Sequence, residues 1–333
     1  MREARAVVDK DLPPISVVIP AYNYADYLAP CVESVLAQTH APADVVVVDD
    51  ASTDATPEVV RAFGDRVTYV RHAQNSGLSA ARNTGIRHAG ADWITFLDAD
   101  DVMKPGNLEA KGRRIAEHPS ARILFGNAEV IDSAGNPLGV ARPRDGARLL
   151  PQRELLAMLL ERNPFFASSA VVARECFEVA GGFDEELRHA EDWDMWLRIA
   201  ATFDGFYEDE PLLQHRTHAA SMMKRNLKAD VDLDAMRTIV ANADRRGDLA
   251  AAGTSFDAVY WANYFRMLHN KVGRVPATHV LALYLRGLRA YPRRLVRRAD
   301  VALLGKLATA TLLPHRTWEK TRRWWRRRRG VLQ

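Results

Sequence analysis

One stretch of the chain decides the fold, and it reads Trp93-Ile94-Thr95-Phe96-Leu97-Asp98-Ala99-Asp100-Asp101. Its apolar part predicts a buried β-strand, and three carboxylates follow within four residues. Like charges at such spacing are costly unless a cation neutralises them, and carboxylate oxygens suit a divalent cation. Open α/β sheets also bind their ligands at the carboxyl ends of strands. A solvated acidic turn is the plainer alternative for this stretch alone.

The segments before this stretch alternate between strand and helix patterns. Ile15 to Pro20 predicts a buried strand, and Asp44 to Val48 is a β-branched run typical of a strand covered on both faces. Between them, apolar residues recur at helical spacing from Leu28 to Leu36. The pattern repeats with a strand at Val67 to Val70 and a helix at Ser79 to His88. This order predicts an α/β fold with a doubly wound, mostly parallel sheet.

Beyond Asp101 the pattern is less regular, and beyond Asn226 it changes character. Predicted elements in the middle region are a helix at 108–118, a strand at 122–125, a loop or hairpin at 132–145, a strand at 168–172, a helix at 191–202 and an extended segment at 206–214. After Asn226 Ala, Leu and Arg dominate without a strand signal. We therefore predict a tail at 1–14, an α/β domain at 15–225 and a helical extension at 226–333.

Composition places the chain in an ordinary class. Hydrophobic residues make up 47% and charged residues 26% of 333, which is typical of soluble globular proteins. Two cysteines, Cys31 and Cys176, exclude a disulfide framework. The first eleven residues lack the apolar core of a signal peptide. The most apolar segment, Val301 to Leu313, is too short for a membrane span and carries Lys306. We expect a cytoplasmic protein without a transmembrane helix.

The net charge of +4 hides a strongly basic end. His315 to Arg329 contains eight Lys/Arg and one Glu, which gives +7 and leaves about −3 for the rest of the chain. Trp318, Trp324 and Trp325 are interleaved with these arginines. Such a segment favours a peripheral contact with an anionic membrane. A helical bundle with a charged end and a nucleic-acid contact are the alternatives, and nucleic acid is the partner least expected.

Polar residues that can carry chemistry cluster at four places. They follow the first two strands at Pro20 to Asn23 and at Asp49 to Asp54, begin a helix within Asn75 to Gly85, and end the fourth strand at Asp98 to Asp101. If the strands are parallel, their carboxyl ends meet at one edge of the sheet, and the clusters line one crevice.

Each cluster suggests a role at a nucleotide. Asp50 could accept a hydrogen bond from a base or a ribose hydroxyl, with helix N-capping as its alternative. Arg82 could pair with a diphosphate, and a solvated helical arginine is its alternative. Of Asp98 and Asp100, one would hold ribose and the other a metal that bridges the phosphates.

Six segments, in this order and spacing, closely resemble the family 2 inverting glycosyltransferases, whose fold is called GT-A: VVIPAYNYADYL, VVVVDDASTDAT, NSGLSAARNTGI, ITFLDADD, GGFDEELRHAEDWDMWLRIA and RTHAAS. They cover roughly residues 15 to 221. The resemblance implies an enzyme of hexosyltransferase type. It would use Mn²⁺ or Mg²⁺ and move a sugar from a nucleotide-sugar donor to a hydroxyl of a glycan or lipid-linked acceptor.

The resemblance also implies roles for individual residues. The positions implied for the nucleotide-sugar are Pro20, Tyr22, Asn23, Asp50, Arg82 and Asp98. Asp100 matches the direct metal ligand, and His218 matches a residue that helps hold metal or diphosphate. Asp192 matches the general base. Inverting transfer is a single in-line displacement, which needs a base for the acceptor hydroxyl and charge neutralisation on the departing diphosphate.

Two features set limits on the resemblance. The Gln-x-x-Arg-Trp motif of processive polysaccharide synthases does not occur in the sequence, which favours addition of one or a few sugars over polymerisation. The region after Arg225 matches none of the family's motifs. A relative that binds nucleotide-sugar without catalysis is the main rival function, and a nucleic-acid-binding protein is the second.

Overall fold

The computed structural model describes residues 12–143, 145–218, 230–272 and 275–290. The chain divides into two compact units, one comprising 1–159 and 163–217, the other 160–162 and 218–333. Several predictions lie outside the described residues. These are the domain boundary near Arg225, most of the N-terminal tail, the apolar segment 301–313 and the basic tail 315–329.

The first unit is built on a ten-stranded sheet. Its strands are β1 Ile15–Ala21, β2 Asp44–Asp49, β3 Thr68–Arg71, β4 Trp93–Phe96, β5 Val102–Met103, β6 Ala121–Ile131, β7 Pro137–Ala141, β8 Arg148–Leu150, β9 Val171–Ala173 and β10 Asp204–Arg216. The order is β3-β2-β1-β4-β9-β6-β10-β5, with β7 on β6 and β8 on β10. β1 to β4 pair in parallel, as do β6 and β10, whereas β5, β7, β8 and β9 pair antiparallel.

Helices follow the strands along the chain. They are α1 Ala25–Leu36, α2 Thr56–Arg61, α3 Leu78–His88, α4 Asn107–Glu117, α5 Gln152–Glu161, α6 Arg174–Ala180 and α7 Glu191–Ala200. Successive side chains of a strand point to opposite faces of the sheet. In β1, one face contacts α1 and the other contacts α3. Val17 belongs to the same core cluster as Leu28 of α1. Val18 meets α3, where a Cβ on Gly85 would lie 2.1 Å from Val18 Cγ1.

The predicted fold class is therefore confirmed, with helices on both faces of a mostly parallel sheet. The strand predicted at 168–172 is partly wrong, because a 3₁₀ turn at Ala167–Ser169 precedes the three residues of β9. The loop or hairpin predicted at 132–145 contains β7, which pairs with β6. The insertion of antiparallel β9 between β4 and β6 was not predicted.

The second unit is helical where the structure describes it. Its helices span Val231–Arg245, Asp248–Ala251, Phe256–Lys271 and Ala277–Ala290. Lys271 is fully buried here, and its Nζ lies 2.9 Å from carboxylate oxygens of both Asp230 and Asp232. Among the described residues, none of the helices combines the length and apolarity needed to cross a bilayer.

Candidate functional site

The loops after β1 and β2 are joined by hydrogen bonds. Asn23 adopts a left-handed conformation with φ +58°, and its Oδ1 accepts from Thr53 N at 2.8 Å and Asp54 N at 3.3 Å. In return, Asn23 N donates to Ser52 Oγ at 3.0 Å. The two predicted clusters thus form one continuous surface. Asn23 serves this connection, and the nucleotide contacts expected of it stay a prediction.

The other two residues of the first cluster differ in exposure. Pro20 is buried within β1, where it pairs with Val48 of the parallel neighbour. Tyr22 is 44% exposed, which makes it one of the more exposed large hydrophobic side chains among the described residues. Of these two residues, only Tyr22 presents a free ring surface on which a flat ligand could stack.

Asp50 connects β2 to the start of α3. Its carboxylate accepts from Ser76 N at 2.8 Å and Gly77 N at 2.7 Å, and His72 Nδ1 lies 2.7 Å from Asp50 Oδ1. A carboxylate offers about four lone-pair positions, so one remains for a further donor. The N-capping alternative does not apply to α2, because its N-cap is Ala55 and Asp54 Oδ1 accepts from Thr56 N.

Arg82 lies at the centre of the candidate site. It is 1% exposed, and its guanidinium donates to Asp98 Oδ1 at 2.9 Å and to Glu191 Oε1 at 2.6 Å. The alternative of a solvated helical arginine is therefore wrong. Burial opposes the charge, but the carboxylates of Asp98 and Glu191 raise the pKa of Arg82 above its usual value. Arg82 thus connects the acidic run to the first turn of α7.

The acidic run turns sharply after β4, as its spacing requires. Asp101 N donates to Asp98 O at 2.9 Å, which closes the turn. Asp98 keeps a third of its side chain exposed, and burial together with the charge of Asp101 raises its pKa. Asp101 is fully buried and accepts from Arg216 N at 2.9 Å. Asp100 is also buried, and its carbonyl accepts from Arg216 Nε at 2.8 Å.

The donor set of this turn suits a hard divalent cation, since it consists of carboxylate oxygens crowded at one edge of the sheet. Burial raises the pKa of Asp98, and the nearby carboxylate of Asp101 adds to this shift. In the part of the chain that the structure describes, however, no three His, Cys, Asp or Glu side chains are gathered as a metal site. His218 is buried two residues beyond β10. The roles of Asp100 and His218 as ligands stay predictions.

Asp192 lies in the first turn of α7, after Ala190 with φ +57°. Its Oδ1 accepts from Trp193 N at 2.7 Å, and its Oδ2 accepts from Asn163 Nδ2 at 3.0 Å. Burial and the neighbouring charge of Glu191 raise the pKa of Asp192 to about 7, against the opposing effect of Arg82. A carboxylate with such a pKa is well matched to accept a proton near neutral pH.

Packing fixes α7 and the loop before it. Trp193 Nε1 donates to Leu159 O at 2.7 Å, and Trp196 is fully buried, so both tryptophans belong to the core. Asn83 of α3 donates to Phe183 O at 2.9 Å and accepts from Phe183 N at 2.7 Å. Sequence reasoning missed Asn83 and Asn163. Asn83 follows Arg82 directly in the segment NSGLSAARNTGI, so its position next to the site could have been noticed. No sequence motif indicates a role for Asn163.

Comparison with known proteins identifies the family of the chain. The model of "Glycosyl transferase family 2" matches residues 16–168. The succinoglycan biosynthesis protein ExoO of Rhizobium meliloti is 38% identical over 239 residues, which cover 69% of this chain and 67% of ExoO. The chain belongs to the family 2 glycosyltransferases. Its fold is that of the GT-A glycosyltransferases.

The chain spans between about a third and two thirds of the length of several other curated relatives that it matches. A glycosyltransferase of Rickettsia felis is 29% identical over 64% of this chain, and the match covers 36% of the relative. Among solved structures, S. aureus TarS in complex with UDP-GlcNAc matches with a TM-score of 0.60 at 18% identity, covering 93% of this chain and 92% of that one. The Pyrobaculum calidifontis mannosyltransferase PcManGT with GDP-Man and Mn²⁺ has a TM-score of 0.58 at 22% identity, covering 94% and 85%. These similarities support the fold.

Proposed function

We propose that this enzyme transfers one or a few sugars with inversion, using Asp192 as general base for the acceptor hydroxyl. The observation that carries the proposal is the state of Asp192. Its carboxylate has a pKa raised to about 7, and two N–H groups hold its two oxygens. At pH 7 and above the group is increasingly charged and can remove a proton as the acceptor oxygen attacks the anomeric carbon.

The donor would lie along the edge formed by the first two loops and the acidic turn. Tyr22 offers an exposed ring to the base, and Asp50 retains one lone-pair position for a base or ribose donor. UDP and GDP, the nucleotides of the two neighbouring structures, both carry a ring N–H that such a position could accept. We propose a nucleoside-diphosphate sugar with a base of this type.

A divalent cation, Mn²⁺ or Mg²⁺, would be held by Asp100, with Asp98 oriented toward ribose by Arg82. When bound, such a cation neutralises charge on the departing diphosphate. The chain's own residues orient the donor and hold the proton acceptor. Arg82 donates to both Asp98 and Glu191, and these contacts support a donor site next to the proposed base.

The similarity to ExoO supports a glycan or lipid-linked saccharide as acceptor, in the synthesis of a cell-envelope or extracellular polysaccharide. A cytoplasmic enzyme that contacts the membrane surface through the basic tail would suit such an acceptor. The rival function, nucleotide-sugar binding without catalysis, is disfavoured because the expected acidic positions Asp98, Asp100 and Asp192 are all filled.

The test is Asp192→Asn, which keeps the shape of the side chain and removes the base. We expect turnover to fall by about 10²-fold or more while donor binding, measured by calorimetry with Mn²⁺, stays nearly the same. Asp65→Asn is the control, because Asp65 is an exposed carboxylate on the turn after α2. If Asp192→Asn retains more than about a tenth of wild-type turnover, Asp192 is not the general base.

A further inference from the structure

Asn163 touches the proposed base and has no role in the family motifs. It lies in the segment after α5, and its Nδ2 donates to Asp192 Oδ2 at 3.0 Å. We propose that Asn163 is a positioning residue for the transfer reaction, which fixes the carboxylate of Asp192 in its charged, proton-accepting form. This inference rests on the proposed role of Asp192.

The orientation of the Asn163 amide is set by its other end. Asn163 Oδ1 accepts from Phe165 N at 3.2 Å, and a backbone N–H can only donate. The nitrogen of the amide must therefore face Asp192. This hydrogen bond resolves the ambiguity between oxygen and nitrogen that an asparagine side chain otherwise carries. Asn163 thus presents a donor to the carboxylate and cannot accept a proton from it there.

The two hydrogen bonds to Asp192 hold its carboxylate at both oxygens. Trp193 N holds Oδ1 from within α7, and Asn163 Nδ2 holds Oδ2 from a different segment. With both oxygens held, rotation about the Cβ–Cγ bond would break at least one hydrogen bond. The remaining lone pairs therefore keep a constant direction toward an acceptor hydroxyl, which is the condition for efficient proton transfer.

Asn163 also acts on the charge of the base. The charged groups that influence Asp192 are Glu191 and Asp98, which oppose its ionisation, and Arg82, which favours it. Arg82 is already bonded to Glu191 and Asp98. Asn163 adds a neutral donor directed at Oδ2, and a hydrogen bond to the charged form favours that form. Removing this donor should therefore make Asp192 harder to ionise.

The experiment compares Asn163→Ala and Asn163→Asp with wild type and with Asn136→Ala, all in the 333-residue chain. Asn136 is an exposed asparagine in the turn between β6 and β7 and serves as the matched control. For each protein, kcat and KM for the donor are measured with Mn²⁺ from about pH 5.5 to about pH 9, and thermal unfolding confirms that the variants fold. The nearly isosteric Asp variant keeps the test valid if the Ala variant unfolds.

We expect Asn163→Ala to lower kcat about tenfold or more near pH 7, with an unchanged KM for the donor. The acidic limb of its kcat profile should move to higher pH, since the base is harder to ionise. Asn163→Asp should move that limb further, because a second carboxylate opposes ionisation of the first. Asn136→Ala should match wild type.

Two results would overturn the inference. The first is a kcat profile of both Asn163 variants that superimposes on that of wild type. The second is a loss of activity that is equal at every pH and accompanied by weaker donor binding, which would mark a structural or donor-binding role. If Asp192→Asn retains turnover, both the proposed role of Asp192 and this inference are refuted. If Asp192→Asn is inactive and the Asn163 variants are normal, only the role of Asn163 is refuted.

Discussion

Replacing Arg82 by Met tests whether the buried ion-pair bridge holds the site together. Methionine has a similar length, so the substitution removes the charge and five N–H donors with little change in volume. In the variant, the carboxylates of Asp98 and Glu191 lose their shared partner. The Glu191 side chain is 8% exposed, so water can replace the lost donors only to a small extent.

The expected loss follows from that burial. Breaking a buried ion pair by removing one partner typically costs about 3–5 kcal/mol, because the remaining charge is left without compensation. Glu191 meets this condition, whereas Asp98 is a third exposed and adds less. We expect the free energy of unfolding to fall by about 3 kcal/mol at pH 7. The loss should shrink in acid, where the unpaired carboxylates take up protons.

Urea unfolding at pH 7 and at about pH 5 measures both effects. Arg61→Met is the control, since Arg61 and Glu58 form an ion pair with side chains 58% and 66% exposed. That pair should contribute less than about 1 kcal/mol. The double variant Arg82→Met with Glu191→Gln should recover part of the loss, because the uncompensated charge is removed as well. The reasoning fails if Arg82→Met and Arg61→Met destabilise the protein equally.

Four further outcomes are expected. Mn²⁺ should strengthen nucleoside-diphosphate binding in wild type but not in Asp100→Ala, as measured by calorimetry. Asp98→Ala should weaken this binding by a smaller factor than Asp100→Ala. An equal effect of Mn²⁺ in wild type and Asp100→Ala would exclude Asp100 as a metal ligand. Gly85→Ala should lower the free energy of unfolding by about 1–3 kcal/mol in urea titration, because the new Cβ would overlap Val18. Burial lowers the pKa of Lys111 from 10.5 to about 7. Between about pH 7 and pH 10.5 the unfolded chain therefore binds more protons than the folded protein, and the free energy of unfolding should rise with pH. Lys111→Met should remove this rise, which denaturation at about pH 7.5 and about pH 9.5 would measure. Truncation after Pro314 should abolish sedimentation of the protein with anionic vesicles at low salt, without loss of catalysis on a soluble acceptor. Equal pelleting of the truncated and the untruncated protein would show that the tail does not bind the membrane.

The sequence predicts the fold best where pattern and environment coincide. β1 and β2 are buried on both faces, so their residues form continuous apolar runs that are easily recognised. β9 has only three residues, Val171–Ala173, and so short a run carries no period that could reveal its antiparallel insertion. Boundaries of α4 and α7 were predicted to within two residues because their apolar positions repeat with helical spacing.

The candidate site is harder to predict because its contacts join distant segments. The acidic turn and the first turn of α7 are each visible in the sequence, but Arg82 joins them across 109 positions to Glu191. The same applies to Asn163 and Asp192, which are 29 positions apart, one in the segment after α5 and the other in α7. Hydrophobic periodicity describes one element at a time, so it does not identify such pairs. They follow from tertiary packing, which brings α3 and the segment after α5 into contact with the first turn of α7.

The connection between the loops after β1 and β2 has a consequence for the thermodynamics of donor binding. Backbone N–H groups of Asn23, Tyr24 and Ala25 donate to the side chains of Ser52, Thr56 and Asp54, and the Asn23 side chain accepts in return. Two loops fixed to each other before the ligand arrives lose little conformational entropy when it binds. A nucleotide that binds here, as we propose, would therefore meet only a small cost for ordering these loops. The substitution Asn23→Ala removes a hydrogen bond between the two loops. It should therefore increase the entropic cost of ligand binding, even if Asn23 makes no contact with the ligand.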